Sequence, residues 1–532
     1  MKKNVVLLPV ALLLMNTAFA GGIITNSNQS AQFARILSRN ASTDLDAVYF
    51  NPAGLTQMEN GFYFALDNQS IFQNRSINSE FPTLNTHDYS GTVSAPLFPT
   101  AFAVYKKDKW AFSLGFGPNG GGGTAKYDKG LPSFEKQIST IPASLTASHM
   151  PTSGYSVNMK FEASSVFYGT QFNASYSINK IITVSLGARM INAVNTYTGY
   201  IKDIQVNPTN PPSGNIGFDG TMRSASSVFT TLSAVSTGTA NALAPYVPTA
   251  GGYTLPQLLA AEAITPTQAA MLAGGLSGYN SSMTVSQIYD GYNQQAAVLA
   301  ATSANTEDKN VDTKQTGTGF TPIIGVNLHF EKLNIGLRYE HQTTLILTNS
   351  PSADDNYSDQ LFPEKFGNDI PGIISGGADY KITKALKISG SFTSYLDKGV
   401  GWGDNIYGQH KSIDKNYLEL ALGLEYKLTD KFAVSAGYLN SNMGVSQKWQ
   451  SDFTYENDSH TEGIGFQWNI SSKLVLDAGM MLTTYKDATK TFDSTGGFDE
   501  ANTALISNFG PYNETYGKDT FTFAFGIGYK IF

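Results

Sequence analysis

No cysteine occurs in the 532 residues, which excludes a disulfide scaffold and any thiolate metal site. Charge is scarce too: Asp, Glu, Lys and Arg make up 14% of the chain, well under the roughly 25% of ordinary soluble domains. Acidic residues outnumber basic ones, 42 to 35, so there is no electrostatic footprint for nucleic acid. After the N-terminal segment no apolar run approaches the ~20 residues that a spanning helix needs. His87, His149, His329, His341, His410 and His460 have no metal-ligand spacing, and no G-x-S-x-G elbow occurs. These absences argue against an enzyme and imply no metal or cofactor.

What is present is aromatic and glycine-rich, with 12% Phe, Trp and Tyr and 51 glycines. Residues 1–20 read as a secretory signal. Lys2 and Lys3 open it, Val5 to Met15 is almost wholly apolar, and Ala18-Phe19-Ala20 is a small-x-small cleavage site. The exported remainder alternates with period two. Trp110, Phe112, Leu114 and Phe116 share one face and Ala111, Ser113, Gly115 and Gly117 the other. Likewise Leu418, Leu420, Leu422 and Leu424 alternate with Glu419, Ala421, Gly423 and Glu425. A face carrying two carboxylates cannot look into lipid, so it looks into a lumen.

Short turns such as Lys106-Lys107-Asp108-Lys109 and Lys427-Leu428-Thr429-Asp430-Lys431 alternate with long polar loops, the asymmetry of brief periplasmic turns and elaborate external loops. The fold class expected is all-β, a transmembrane antiparallel β-barrel of about fourteen strands over 61–532. Strands are expected at 98–107, 109–118, 332–348 and 370–383 among others, with a large external loop at 199–314. A soluble β-sandwich also alternates, but it explains neither the signal nor the apolar outer face.

Residues 21–60 do not alternate. Asn28 to Ser38 and Thr43 to Ala47 suit short helices, and Pro52 and Gly54 break any regular element after them. A plug in the lumen is the economical place for this segment. The stretch NQSAQFARILSRNASTDLDAVYFNPAGL, 28–55, resembles the N-terminal hatch of the FadL/TodX family of outer-membrane transporters for long-chain fatty acids and other hydrophobic compounds. Asn51-Pro52-Ala53 matches that family's hatch motif, and Asp44 falls where the family carries an acidic residue upstream. The resemblance departs at Phe33-Ala34-Arg35, where the family has a Gly-Arg pair, and at Asp44 and Asp46, where it has adjacent aspartates.

Gly115-Phe116-Gly117-Pro118 and the glycines after it match G-x-G-x-x-G, but no helix is expected after them and no acidic residue is placed for a ribose. In a barrel, Pro118 cannot donate to the ladder and breaks the third strand. The resemblance implies that Gly115, Gly117 and Pro118 form a lateral opening to the membrane. Asn51 is expected beside it, bonding the backbone groups that the break frees. Arg189 and Arg338 point into the lumen and suit a ligand carboxylate, or else they pair with Asp44, Asp46 or Glu340. Leu255, Leu258, Leu259, Met271 and Leu272 make the external loop apolar, either as a docking surface or as helices packed on one another.

The expected function is passive outer-membrane transport of a hydrophobic small molecule by a monomer embedded in outer-membrane lipid, without nucleic acid. A long-chain fatty acid would dock on the loops, pass as the hatch moves, and leave sideways into the bilayer. The alternatives are a receptor or channel for another apolar ligand, such as haem or an aromatic hydrocarbon, and a general porin.

Overall fold

A computed structural model describes residues 26–211, 214–400, 402–404, 410–411, 413–445, 447, 450–493 and 507–532. The expected signal at 1–20 lies outside the described residues.

Fourteen antiparallel wall strands close on themselves. They are β1 (Gly61–Ser79), β2 (Asp88–Lys107), β3 (Trp110–Tyr127), β4 (Thr152–Ser177), β5 (Ile182–Pro208) and β6 (Lys309–His329). Then come β7 (Leu333–Glu340 and Ile346–Pro351), β8 (Lys365–Gly367 and Ile373–Lys381), β9 (Leu386–Tyr395) and β10 (Tyr417–Lys427). The last are β11 (Phe432–Asn442), β12 (Ser459–Asn469), β13 (Leu474–Tyr485 and Ala488–Phe492) and β14 (Tyr512–Lys530). β14 returns to β1, with Tyr63 opposite Lys530 and Ser79 opposite Glu514.

The alternation becomes the wall's two faces. Leu418, Leu420, Leu422 and Leu424 are exposed on the outside of β10 while Glu419, Ala421 and Glu425 are buried inside. Phe64, Leu66 and Phe72 of β1 continue the outer band beside Phe521, Phe523, Phe525, Ile527 and Tyr529 of β14. A closed sheet leaves no unpaired edge, which is what lets strands sit in hydrocarbon.

The strands depart from expectation where they outrun the membrane or bend. β4 and β5 have 26 and 27 residues, far beyond the ~9–11 that cross a bilayer, so they rise as a stalk. The insertion on top therefore occupies 209–308 and not 199–314. β2 begins at Asp88 because pairing with β1 resumes at Ala95 beyond the bulge at Pro96 and Leu97. The strand expected at 332–348 is split: residues 341–345 fold inward, where Thr343 N–H donates to Ile370 O at 2.9 Å and Leu345 is fully buried. Gly317 of β6 leaves the room, since a Cβ there would sit 2.9 Å from the Leu347 side chain.

The N-terminal segment fills the barrel interior. It holds α1 (Ala31–Ile36), α2 (Ala47–Phe50) and a 3-10 turn, Pro52–Gln57. Ser30 caps α1 by accepting from Phe33 N–H at 2.9 Å, as N-cap serines do. Inward glycines on successive strands seat α1. A Cβ at Gly423 would lie 2.7 Å from Ile36, one at Gly463 2.7 Å from Ala34 O, and one at Gly479 2.8 Å from Arg35 N. Any side chain there would push the plug off the wall.

Above the barrel lie α3 (Pro132–Ser139) and α4 (Ile141–Ala147), then, within the insertion, α5 (Ala225–Leu243), α6 (Leu255–Ala260), α7 (Pro266–Gly274) and α8 (Val285–Asn305). Thr254, Thr265 and Thr284 each close a capping box with the Gln three residues on.

Candidate functional site: plug, wall gap and two cavities

The plug is held by polar side chains reaching from the wall to its backbone and charges. Gln171 and Asn173 of β4 donate to Val48 O at 2.8 and 3.1 Å, Ser175 donates to Pro52 O at 2.7 Å, and Arg338 of β7 donates to Tyr49 O. On the other side Arg35 reaches Asp477 at 2.8 Å and Glu425 at 2.6 Å. Within the plug, Arg39 binds Asp44 at 2.7 Å and Asp46 at 2.6 Å. Asp46 also accepts from Ser30 and Ser42, at 3.0 and 2.6 Å. Asp46 thus organises the segment more than Asp44, whose side chain is 47% exposed.

Arg189 and Arg338 are lumen residues that share one carboxylate. Both meet Glu340, at 2.6 and 3.3 Å, and their guanidiniums stack on the Tyr49 ring. Both are buried against the plug, which they anchor.

β2 and β3 pair from Lys107–Trp110 up to Ala101–Phe116, lose their ladder pairing, and resume it at Ser94–Thr124. This gap in the wall's pairing runs between 95–100 and 117–123. β3 itself continues, bulged against β4 at Asn119 and at Gly122 to Gly123. Gly121 and Gly123 take φ of +72° and +76°, a conformation that favours glycine. Gly117 lies at the lower edge and the Pro118 carbonyl faces the gap, whereas Gly115 sits below it in paired wall, against Val48.

The freed carbonyls are capped by plug residues that no sequence motif marks. Gln29 donates to Pro118 O at 2.9 Å, Asn26 N–H to Asn119 O at 2.8 Å, and the Asn26 amide to Gly121 O at 2.6 Å. Asn51 does not do this. Its amide donates to Ser42 O at 3.0 Å and to Asn327 Oδ1 at 2.8 Å, against β6 and under Gly336. Pro52 and Ala53 start the buried turn behind it.

Two cavities flank the gap's level. The inner, about 370 Å³, lies over the plug and is lined by Gly121, Gly122 and Gly123, by Arg75 and Lys518, and by Glu419. Glu419 accepts from Tyr417 OH at 2.5 Å, Tyr395 OH at 3.0 Å and Ser27 Oγ at 3.2 Å. The outer, about 910 Å³, lies in the loops. Leu258, Met271 and Leu272 line it, with Phe229 and Tyr292; Leu255 is packed in the helical core, and Leu259 is exposed. Among the described residues no Lys, Arg, Asp or Glu lines it. Between the cavities stands Phe134 of α3. It packs on Phe161 and Phe453, which roof the inner chamber, at 5.5 and 5.3 Å between ring centroids, and on the cluster holding Leu145 of the outer pocket.

No family model and no curated protein matches the sequence. Among solved structures the chain is similar to a Pseudomonas aeruginosa FadL homologue, at 12% identity and a TM-score of 0.55, over 97% of this chain and 100% of that one. It is similar also to a mutant of the monoaromatic hydrocarbon channel TodX, at 9% identity and a TM-score of 0.51, over 94% and 99%. Both similarities run along nearly the whole length of either chain. The chain has the fold of the FadL/TodX outer-membrane channels.

Proposed function

We propose that this protein sits in the outer membrane and passes hydrophobic compounds, long-chain fatty acids foremost, from the outside into the bilayer. The observation that carries this reading is the wall gap between β2 and β3 opening from a chamber that the plug floors. The outer pocket is mainly apolar, without Lys, Arg, Asp or Glu among its described lining residues, and large enough for a lipid-sized ligand. Ligand docks there, passes Phe134 into the inner chamber, and leaves through the gap without crossing the plug. A general porin is disfavoured because the plug fills the lumen; an aromatic hydrocarbon is the second reading, favoured by the charge-free outer pocket.

Gly122 offers a clean test. A Cβ there would meet nothing nearer than Phe98, at 3.8 Å, so Gly122→Trp fills the gap without forcing the backbone. Cells relying on this variant should assemble the barrel and lose uptake of radiolabelled palmitate. Unchanged uptake by a correctly assembled G122W barrel would rule out lateral exit.

A further inference from the structure

Arg75 and Lys518 face each other across β1 and β14 inside the inner chamber. Like charges directly opposite in a sheet repel, and only one carboxylate answers them: Glu456 takes Lys518 at 2.8 Å. Among the described residues no carboxylate lies within salt-bridge distance of Arg75. Its guanidinium accordingly makes do with neutral partners, donating to Gln73 Oε1 at 2.7 Å and lying 5.4 Å from the centre of the Tyr455 ring. The chamber therefore holds one positive charge in surplus at its outer end. Its other acid, Glu419, is at the opposite end beside Ser27 of the plug and already has three donors.

Height matters as much as charge. On the outer surface, Phe72 opposite Phe521 is the last apolar pair, and next along comes Asn74, bonded to Asp519 at 3.2 Å. Arg75, one residue further, is inside at the level where the outer wall turns polar. The gap begins at Ala95, opposite Ile71, whereas Arg75 is opposite Gly91. Four residues of strand separate them, about 13 Å along the wall. The gap itself thus opens at hydrocarbon level, below the charge.

We propose that Arg75 holds the anionic head of a single-chain amphiphile, a carboxylate by preference, and that the ligand leaves through the gap tail first. The head stays at interfacial height throughout while the chain passes from an apolar chamber into hydrocarbon, so no charge crosses the bilayer core. This rests on the transport reading above and assigns the substrate class within it: a monoanionic amphiphile is selected over an uncharged hydrocarbon at the second cavity, after a first pocket that does not discriminate by charge.

The test uses purified protein in detergent with two probes of equal chain length, tritiated palmitate and tritiated 1-hexadecanol. Arg75→Met should weaken palmitate binding by about tenfold or more, as loss of a charge-assisted pair does. Hexadecanol binding should stay unchanged, and Arg75→Lys should keep most palmitate affinity. Equal loss of both probes in R75M would reduce Arg75 to a structural role and overturn the proposal, as would full palmitate binding by R75M. Neither of these results touches the transport reading, which fails separately if the wild type binds neither probe. Orientation is read by photocrosslinking: a diazirine at the methyl end should label 95–100 and 117–123, and one beside the carboxylate should label around Arg75. The reverse pattern would overturn tail-first exit.

Discussion

Tyr49 and Arg338 are joined twice: the guanidinium lies 4.9 Å from the ring centroid and also donates to the Tyr49 carbonyl. Arg189 covers the same ring at 4.8 Å, and Glu340 binds both arginines. Glu340→Gln leaves two buried guanidiniums facing each other without an anion, a loss on the order of 3–5 kcal/mol for a broken buried pair. The wall's backbone pairing does not involve that side chain. Urea titration should show the plug releasing earlier in E340Q, read by a fluorophore on the plug, while heat-modifiability on gels reports an intact barrel.

The seal over the gap makes a second prediction. Gln29→Ala removes the donor to Pro118 O, at a cost of about 1–3 kcal/mol for a buried acceptor left unpaired. Residues 26–30 should then exchange amide hydrogens faster than in the wild type, without a change at Asn51. Asn51→Ala should instead disturb the β6 side through Asn327, and exchange at 117–123 should not respond to it.

The glycine seat under α1 gives a third. Gly463→Ala would place a methyl 2.7 Å from Ala34 O, an overpacking worth about 1–3 kcal/mol. Cells carrying it should become more permeable to small hydrophilic antibiotics as the plug lifts. Wild-type resistance in a well-expressed G463A strain would show that the seat tolerates a side chain.

A pH response is expected at the outer roof. Asp452, in the loop between β11 and β12, is buried beside Glu514, so its carboxyl is pushed up to about 6, with Lys136 pulling the other way. It accepts from Ser133 N–H at the start of α3 at 2.6 Å. A carboxyl raised on folding adds stability that is full below its unfolded value near 4 and is lost as pH rises through about 6. Loop 450–457 should therefore exchange hydrogens more slowly at pH 5 than at pH 7.5, and Asp452→Asn should flatten that difference.

The wall was legible in the sequence because lipid imposes one rule on every strand: Leu418 to Leu424 and Phe521 to Phe525 face out at strict alternation. The plug was legible only as a break in that rule. Its contacts were not, because Asp46, Gln29 and Asn26 act through partners that local pattern does not mark, some of them a full strand or more away. Arg75 was hidden for a related reason: Gln73 and Asn74 are both polar, so β1 loses its contrast between faces just where the charge sits. Helix α5 leaves little trace in the sequence because its Ser, Thr and Ala residues give little apolar periodicity, while Thr254-Leu255-Pro256 and Thr265-Pro266 announce α6 and α7 by their caps. The expectation for Asn51 failed because the gap's freed carbonyls are met by the chain nearest to them, the residues just before α1.

The plug's hold on the wall, built of ion pairs and of amides aimed at backbone carbonyls, has a consequence for how the molecule comes apart. Interior and shell are fastened by different forces, one answering to denaturant and to the protonation of its buried carboxylates, the other to the thickness and chemistry of the surrounding lipid. A cell that changes its outer leaflet would thus tune the shell alone and leave the salt-shielded pairs of the core as they are. The barrel is in effect two machines with separate dials, sharing a single chain.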